Sequence, residues 1–154
     1  MKRAIIICGF PGVGKSCAAS NRVHILDAES SAFSWIWKMG EPFGKERNPE
    51  FPTNYIKHIR NAAKNYDIVL AASHETVREA LKSEGIQYVI VAPRRELKNE
   101  YLRRYLERGS DIDFIELLNE KWDEFLTSVE NDGAPVIWLE KGEYISDVLG
   151  VLAK

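Results

Sequence analysis

The stretch Ile5-Ile6-Ile7-Cys8-Gly9-Phe10-Pro11-Gly12-Val13-Gly14-Lys15-Ser16 decides the fold of this chain. Its first four residues are apolar, which is typical of a short strand that is covered on both faces. The glycines that follow permit positive φ angles and a close approach of the backbone to a ligand. Because a helix-compatible sequence begins at Lys15, the stretch predicts a buried strand, a glycine-rich turn and a helix in direct succession.

The glycine-rich turn fits the phosphate-loop pattern of Gly, four residues, Gly, Lys and then Ser or Thr. In such a loop, backbone N–H groups and the start of the following helix bind polyphosphate oxygens. The Lys15 ammonium is expected to reach the β- and γ-phosphates, and the Ser16 hydroxyl to ligate Mg²⁺. The residues expected to bind the nucleotide phosphates are Gly9, Pro11, Gly12, Val13, Gly14, Lys15, Ser16 and Cys17. The alternative is a glycine-rich turn that binds nothing.

Apolar segments of strand length alternate with helical patterns along the rest of the chain. This alternation predicts an α/β domain with a mainly parallel, five-stranded sheet. The predicted strands are Arg3–Cys8, Val23–Leu26, Asp67–Ala72, Gln87–Ala92 and Pro135–Leu139. The predicted helices are Lys15–Asn21, Asn54–Asn65, Glu75–Glu84, Glu96–Glu107, one that begins at Ser110, and Ile145–Leu152.

Capping residues and prolines predict where some of these elements begin and end. Ser73 is the expected N-cap of the Glu75–Glu84 helix, and Gly85 its stop. Ser110 with Asp113 resembles a capping box. The segment Met39–Thr53 holds three prolines and two glycines, so it is expected to be irregular, as either a functional loop or a surface loop.

Length and charge set further limits. The 154 residues, at 17.6 kDa, are expected to form one domain, residues 1–154. The formal charge of −2, from 21 basic and 23 acidic residues, excludes a strongly basic coat for bulk nucleic-acid binding and leaves a local basic groove open.

The two cysteines and the short apolar runs bear on location. Cys8 and Cys17 are too few for a disulfide framework or a zinc site, and Cys8 is expected to be buried. No apolar run approaches the ~20 residues that cross a bilayer. The first run is also too short for a signal peptide. We therefore expect a soluble, cytoplasmic protein with no membrane partner.

Residues 9–16, the segment Arg104-Tyr105-Leu106-Glu107-Arg108 and the closing Lys141-Gly142-Glu143 together resemble the small P-loop kinases. These are the nucleoside monophosphate kinases, the shikimate and gluconate kinases and the kinase domain of polynucleotide kinases. The chain is also similar to short P-loop kinase-like proteins of bacteriophages. The resemblance implies the three-layer P-loop NTPase fold with strand order 2-3-1-4-5. It also implies ATP and Mg²⁺ as cofactors and a small phosphorylated acceptor, expected to be a nucleotide.

The resemblance assigns roles to two arginines and one glycine. Arg104 is expected to lie on the adenine and Arg108 to touch the phosphates, and their helical spacing puts both on one side of a helix. Gly142 matches a glycine that lines the adenine pocket. The alternatives are a solvated basic helix paired with Glu100 and Glu107, and an ordinary turn at Gly142. Arg94 and Arg95, at the mouth of the fourth strand, are weaker candidates.

Acidic residues follow the second strand directly, but no acidic residue closes the third. In Asp27-Ala28-Glu29, Asp27 matches the first aspartate of a pair that serves Mg²⁺ and the acceptor hydroxyl in the related kinases, and Glu29 replaces the second. The alternative for Asp27 is a helix N-cap. Related enzymes also often have an aspartate after the third strand, where this chain has Ser73-His74-Glu75. His74 is expected either to contact the acceptor or to lie on the rim.

The resemblance places an acceptor-binding insertion at about residues 32–66 and a reduced lid at about 104–111. The aromatic residues of the insertion would stack on a base, pack in the core, or belong to a helix buried on both sides. They are Phe33, Trp35, Trp37, Phe43 and Phe51. Its basic residues, which would bind the acceptor phosphate, are Lys45, Arg47, Lys57 and Arg60.

Two further functions stay open beside a nucleotide kinase. The first is a kinase that acts on a polynucleotide end or a modified base in DNA, which the acidic balance disfavours. The second is a non-catalytic ATP-binding regulatory module, which the missing third-strand aspartate and the small lid favour.

Overall fold

The computed structural model describes residues 4–20, 22–28, 35–37 and 45–152. The strands are β1 (Ile5–Gly9), β2 (Ile25–Asp27), β3 (Trp35–Trp37), β4 (Lys45–Arg47), β5 (Ile68–Ala72), β6 (Val89–Pro93) and β7 (Val136–Leu139). The helices are α1 (Lys15–Ala19), α2 (Thr53–Ala62), α3 (Glu75–Ser83), α4 (Lys98–Glu107), α5 (Ile112–Glu130) and α6 (Ile145–Leu152), with a 3₁₀ turn at Arg95–Leu97.

Five of the strands form one sheet in the order β2-β5-β1-β6-β7. Every pair in it is parallel. When only the five strands of this sheet are numbered along the chain, their order is 2-3-1-4-5, which confirms the predicted sheet class and strand order. The central strand β1 ends between its two neighbours, with Gly9 beside Ala72 of β5 and Val91 of β6. The strand order reverses at this point. In open parallel sheets, ligands bind in the crevice outside the carboxyl ends of the strands at such a reversal.

The core lies on both faces of the sheet. All five residues of β5 are buried, and successive side chains of a strand point to opposite faces, so both faces are covered. Cys8 is fully buried as expected, and this burial raises the pKa of its thiol to about 12. Within the described ranges, no helix has the length and apolar character needed to cross a bilayer.

The predicted elements of the sheet are present, with ends shifted by one or two residues. Strand β2 begins at Ile25, not at Val23, because Ile25 is the first residue that pairs with β5. Val23 is 93% exposed. The helix predicted to begin at Glu96 instead opens with the 3₁₀ turn and becomes α-helical at Lys98.

The two predicted N-caps are wrong, and the predicted helix stop is confirmed. Helix α3 is preceded by His74, and the Ser73 carbonyl accepts a hydrogen bond from Arg78 Nε at 2.8 Å. Ser110 does not begin α5 either. Its hydroxyl accepts from Arg108 Nε at 2.8 Å, and the capping position is Asp111.

Helix α3 ends as Gly85 predicts. The Gly85 N–H donates to the Lys82 carbonyl and the Ile86 N–H to the Leu81 carbonyl, which is the hydrogen-bond pattern of a Schellman motif.

A short hairpin corrects the prediction of an irregular segment at 39–53. Strand β4 lies within this segment and pairs antiparallel with β3, Trp35 opposite Arg47 and Trp37 opposite Lys45. The helical alternative for the tryptophans is therefore wrong, since their one-residue alternation has the period of a strand. Glu29, Phe33 and Phe43 lie outside the described residues.

Candidate functional site

A cavity of about 620 Å³ opens at the carboxyl edge of the sheet, beside the end of β1. Its walls come from the glycine-rich turn, the ends of β2 and β5, helices α4 and α5, and the residue before α6. The structure brings together at this cavity most of the predicted site residues, namely Gly9, Pro11, Gly12, Gly14, Lys15, Ser16, Cys17, Asp27, Arg104 and Arg108. Val13 and Gly142 are not among its lining residues, and Val13 is fully buried.

The glycine-rich turn presents backbone amides to the cavity. The N–H groups of Gly12, Gly14, Ser16 and Cys17 have no hydrogen-bond partner in the part of the chain that the structure describes. All four residues line the cavity. Gly12 and Gly14 have φ angles of 91° and 90°. Backbone amides that line one concavity can bind an anion together.

Lys15 crosses this turn. Its Nζ donates to the Gly9 carbonyl at 2.9 Å. A Cβ atom on Gly9 would lie 3.0 Å from Lys15 Cδ and 3.0 Å from Val13 Cγ2. The absence of a side chain at Gly9 therefore gives room to the lysine stem, which holds a positive charge beside the amides.

Aromatic rings pack behind the turn, and this makes Gly12 sensitive to substitution. A Cβ atom on Gly12 would lie 2.9 Å from Tyr105 Cε1 and 3.1 Å from Tyr101 Cδ2. Both tyrosines are fully buried, so they have little room to move. Gly133 has a φ of 94° and nothing within 4 Å of its Cβ position, which makes it a matched control.

We expect Gly12→Ala to lower the free energy of unfolding by about 1–3 kcal/mol more than Gly133→Ala, because overpacking adds to the cost of a positive φ. Urea denaturation of both variants measures the difference. Equal losses would show that the tyrosine rings do not confine the turn.

Ser16 and Asp27 form a second cluster of oxygens beside the turn. The Ser16 hydroxyl donates to Asp27 Oδ2 at 3.0 Å. Asp27 Oδ1 is buried and has no hydrogen-bond partner among the described residues. A carboxylate oxygen that is withdrawn from water without a partner is costly, and a cation or a hydroxyl donor would satisfy it.

The buried Tyr55 of α2 fixes the strand ends that carry this cluster. Its hydroxyl donates to the Ala28 carbonyl and accepts from the Ala72 N–H at 3.1 Å. Because Ala28 follows β2 and Ala72 ends β5, one side chain ties the two strands together where Asp27 and Ser73 leave them. Phe51 stacks on Tyr55 with ring centroids 5.9 Å apart, so this aromatic residue packs against the core.

Arg108 extends into the cavity from the end of α4. Its Nε donates to Ser110, and its guanidinium lies 5.0 Å from the Tyr105 ring centroid and 5.5 Å from that of Phe114. The two Nη atoms have no hydrogen-bond partner within the described ranges. The side chain thus offers two N–H-bearing groups to an anion.

Arg104 is engaged by the protein itself. It is sandwiched between the rings of Tyr101 and Tyr144, at 4.2 and 3.9 Å from their centroids. Nη1 donates to the Gly12 carbonyl at 2.8 Å, and Nη2 donates to the Glu143 carbonyl and to Glu100 Oε2. Only 10% of the side chain is exposed, so this arginine is not part of a solvated basic face. Its contact with adenine stays a prediction.

Other candidate residues lie at the rim or away from the cavity. Ser73 and His74 line it. Gly142 donates its N–H to Glu100 at 3.3 Å. Arg94 pairs with Glu140, Arg95 pairs with Asp123 and Glu130, and Arg60 pairs with Glu84. These three arginines and Lys57 are not among the lining residues.

A buried ion pair near the site was not predicted from the sequence. Arg78 Nη1 donates to Asp132 Oδ1 at 2.6 Å, and the side chains are 4% and 3% exposed. Tyr88 donates to Asp132 Oδ2 at 2.8 Å. Burial raises the pKa of Asp132, but hydrogen bonds from Tyr88, Arg78 and Lys82 outweigh it and hold the pKa below its usual value. Since Arg78 also bonds the Ser73 carbonyl, the pair supports one wall of the cavity.

Comparison with protein-family models and with curated proteins found no match. In the described part of the chain, no three His, Cys, Asp or Glu side chains are grouped as a metal site.

Proposed function

We propose that this chain is an ATP- and Mg²⁺-dependent phosphotransferase with the P-loop NTPase fold, which transfers the γ-phosphoryl group to a nucleotide. The observation that carries the proposal is the group of four unpartnered loop amides with Lys15, next to the Ser16–Asp27 pair. A polyanion would find several donors and a cation in this one place. Few ligands besides a polyphosphate need them together.

The phosphates of ATP would lie against the amides of Gly12, Gly14, Ser16 and Cys17. Lys15 would exchange the Gly9 carbonyl for the β- and γ-phosphate oxygens, because an ammonium bonds an anionic oxygen more strongly than a neutral carbonyl. The unengaged Nη groups of Arg108 would meet the charge that develops on the transferred group.

The oxygens of Ser16 and Asp27 fit a magnesium ion bound jointly with nucleotide. Mg²⁺ takes one or two protein oxygens and fills its other positions with water and phosphate oxygens. The orphaned Oδ1 of Asp27 is one such oxygen, and the Ser16 hydroxyl is another. When bound, the ion would neutralise charge on the β- and γ-phosphates.

Asp27 would also position the acceptor. In the transfer, the acceptor oxygen forms a bond to the γ-phosphorus while the bond from that phosphorus to the bridging oxygen of ADP breaks. The attacking oxygen of a nucleoside monophosphate belongs to its phosphate, which is largely ionised at neutral pH, so this transfer needs no general base. With a hydroxyl acceptor, the proton would pass to the Asp27 carboxylate. Arg108 and His74, which line the same cavity, would contact the phosphate of a nucleotide acceptor.

Transfer of labelled γ-phosphate to a panel of acceptors tests the proposal. Nucleoside monophosphates, sugars and oligonucleotide ends form the panel. We expect labelled nucleoside diphosphate, and Asp27→Asn should reduce its formation by about 10²–10³-fold, because the oxygen that would hold Mg²⁺ loses its negative charge. ATP binding should persist in this variant because Lys15 and the loop amides are unchanged.

The same assay separates the alternatives. Label on oligonucleotide ends would favour a polynucleotide kinase. No transfer to any acceptor by folded, ATP-bound protein would contradict the enzyme and favour a regulatory ATP-binding module, for which the small lid already argues.

A further inference from the structure

Three consecutive carbonyls of the glycine-rich turn accept hydrogen bonds from outside the turn. The Pro11 carbonyl accepts from the Tyr105 hydroxyl at 2.7 Å, the Gly12 carbonyl from Arg104 Nη1 at 2.8 Å, and the Val13 carbonyl from the Ile145 N–H at 2.8 Å. The donors belong to helices α4 and α6, so two distant parts of the chain hold one short turn.

These carbonyl bonds control the direction of the loop amides. In a planar trans peptide, the C=O of one residue and the N–H of the next point in opposite directions. A donor on the Pro11 carbonyl therefore fixes the Gly12 N–H, and a donor on the Val13 carbonyl fixes the Gly14 N–H. These two N–H groups are among the four that have no partner among the described residues. The peptide between them is fixed at both ends, since Arg104 bonds the Gly12 carbonyl and the Val13 N–H bonds Phe10.

We propose that Tyr105 and Arg104 are positioning residues of the phosphate site, which hold the Pro11 and Gly12 carbonyls outward so that the loop amides face the anion before it binds. The role rests on the proposed function. It differs from contact with the nucleotide, because each side chain acts through a backbone carbonyl. Donors that are already oriented cost less to engage than donors that the ligand must first order.

The surroundings of Tyr105 suit this role. The side chain is fully buried, and its ring packs edge-on against Tyr101 and Phe114, at centroid distances of 6.4 and 5.2 Å. Burial raises the pKa of its hydroxyl, so the group remains protonated and able to donate. Arg104 is similarly confined between two rings.

Tyr88 provides a matched control. Its hydroxyl is also held by one hydrogen bond inside the protein, to Asp132 Oδ2 at 2.8 Å. Tyr88 precedes β6 and thus lies at the amino edge of the sheet, opposite the turn. Tyr88→Phe removes the same atom as Tyr105→Phe and should cost stability without touching the loop.

The test measures the Kd for MgATP and the urea midpoint of each variant. Tyr105→Phe should raise the Kd by about three- to tenfold, the effect of one lost hydrogen bond, while Tyr88→Phe lowers the midpoint and leaves the Kd unchanged. Arg104→Lys keeps the charge, but one ammonium nitrogen cannot replace the two Nη atoms that bond Gly12, Glu100 and Glu143. This variant should raise the Kd to a similar degree. If Tyr105→Phe does not fold, the Kd of Arg104→Lys tests the positioning role by itself.

Two results would overturn the proposal in distinguishable ways. Wild-type protein that binds no MgATP would remove the proposed function and the positioning role with it. Wild-type protein that binds MgATP, with Tyr105→Phe and Arg104→Lys within twofold of its Kd, would leave the function standing and refute the positioning role alone. A Kd for Tyr88→Phe that rises as much as that of Tyr105→Phe would also refute it, since the effect would then follow from general destabilisation.

Discussion

Replacing Lys15 with methionine should weaken MgATP binding by roughly 10- to 100-fold, the equivalent of one hydrogen bond to a charged group. Methionine keeps much of the stem that passes over Gly9 but has no ammonium for the phosphates. The rate of phosphoryl transfer should fall further, by about 10²–10³-fold, because the charge on the γ-phosphate grows in the transition state. Titration with MgATP and a single-turnover transfer assay measure the two effects.

Lys121→Met is the control for the Lys15 substitution. Lys121 lies on α5 and pairs with the exposed Glu124 at 3.1 Å, so its loss should change neither binding nor transfer. An unchanged MgATP affinity in folded Lys15→Met would mean that the lysine does not face the phosphates.

Replacing Asp132 with asparagine should lower the free energy of unfolding by about 3–5 kcal/mol at neutral pH, because the buried Arg78 would lose its counter-charge. This loss in the free energy of unfolding should depend on pH. Because the pKa of Asp132 is held below its usual value, its ion pair stabilises the protein above the ordinary pKa of an aspartate, near 4. That contribution disappears as the pH falls through the lowered pKa. The variant and the wild type should therefore converge in acid.

Denaturation of both proteins across a pH series checks this, with Asp123→Asn as the matched control. Asp123 also pairs with an arginine, at 2.8 Å, but its side chain is 76% exposed, so its loss should cost less than about 1 kcal/mol. A loss for Asp132→Asn that equals this value, or that does not change with pH, would show that the buried pair carries little net stability.

The sequence predicts the parts of the site that depend on local pattern. An apolar run, spaced glycines, lysine and serine indicate a strand, a turn and a helix because these residues set their own backbone conformations. Strands β1 and β2 are parallel and end at the same edge of the sheet. Asp27, at the end of β2, therefore meets Ser16, which follows the turn after β1, although 11 positions separate the two residues. These predictions needed only the order of the elements.

Contacts between distant elements were beyond sequence analysis. Nothing local in the sequence indicates that Arg78 meets Asp132 across 54 positions, or that Arg104 bonds a carbonyl 92 positions earlier. Ser73 and Ser110 are not the capping residues: His74 and Asp111, each one position later in the chain, precede the two helices, and the Ser110 hydroxyl accepts from Arg108 instead.

The backbone amide resonances of ¹⁵N-labelled protein, followed during a titration with MgATP, test the central claim most directly. Polyphosphate bound in the glycine-rich turn should shift the N–H signals of Gly12, Gly14, Ser16 and Cys17 downfield, because each gains an anionic hydrogen-bond acceptor. The shifts should saturate at one nucleotide per chain. If these four signals stay in place at millimolar MgATP while the spectrum remains that of a folded protein, the turn does not bind phosphate and the proposed kinase activity is refuted.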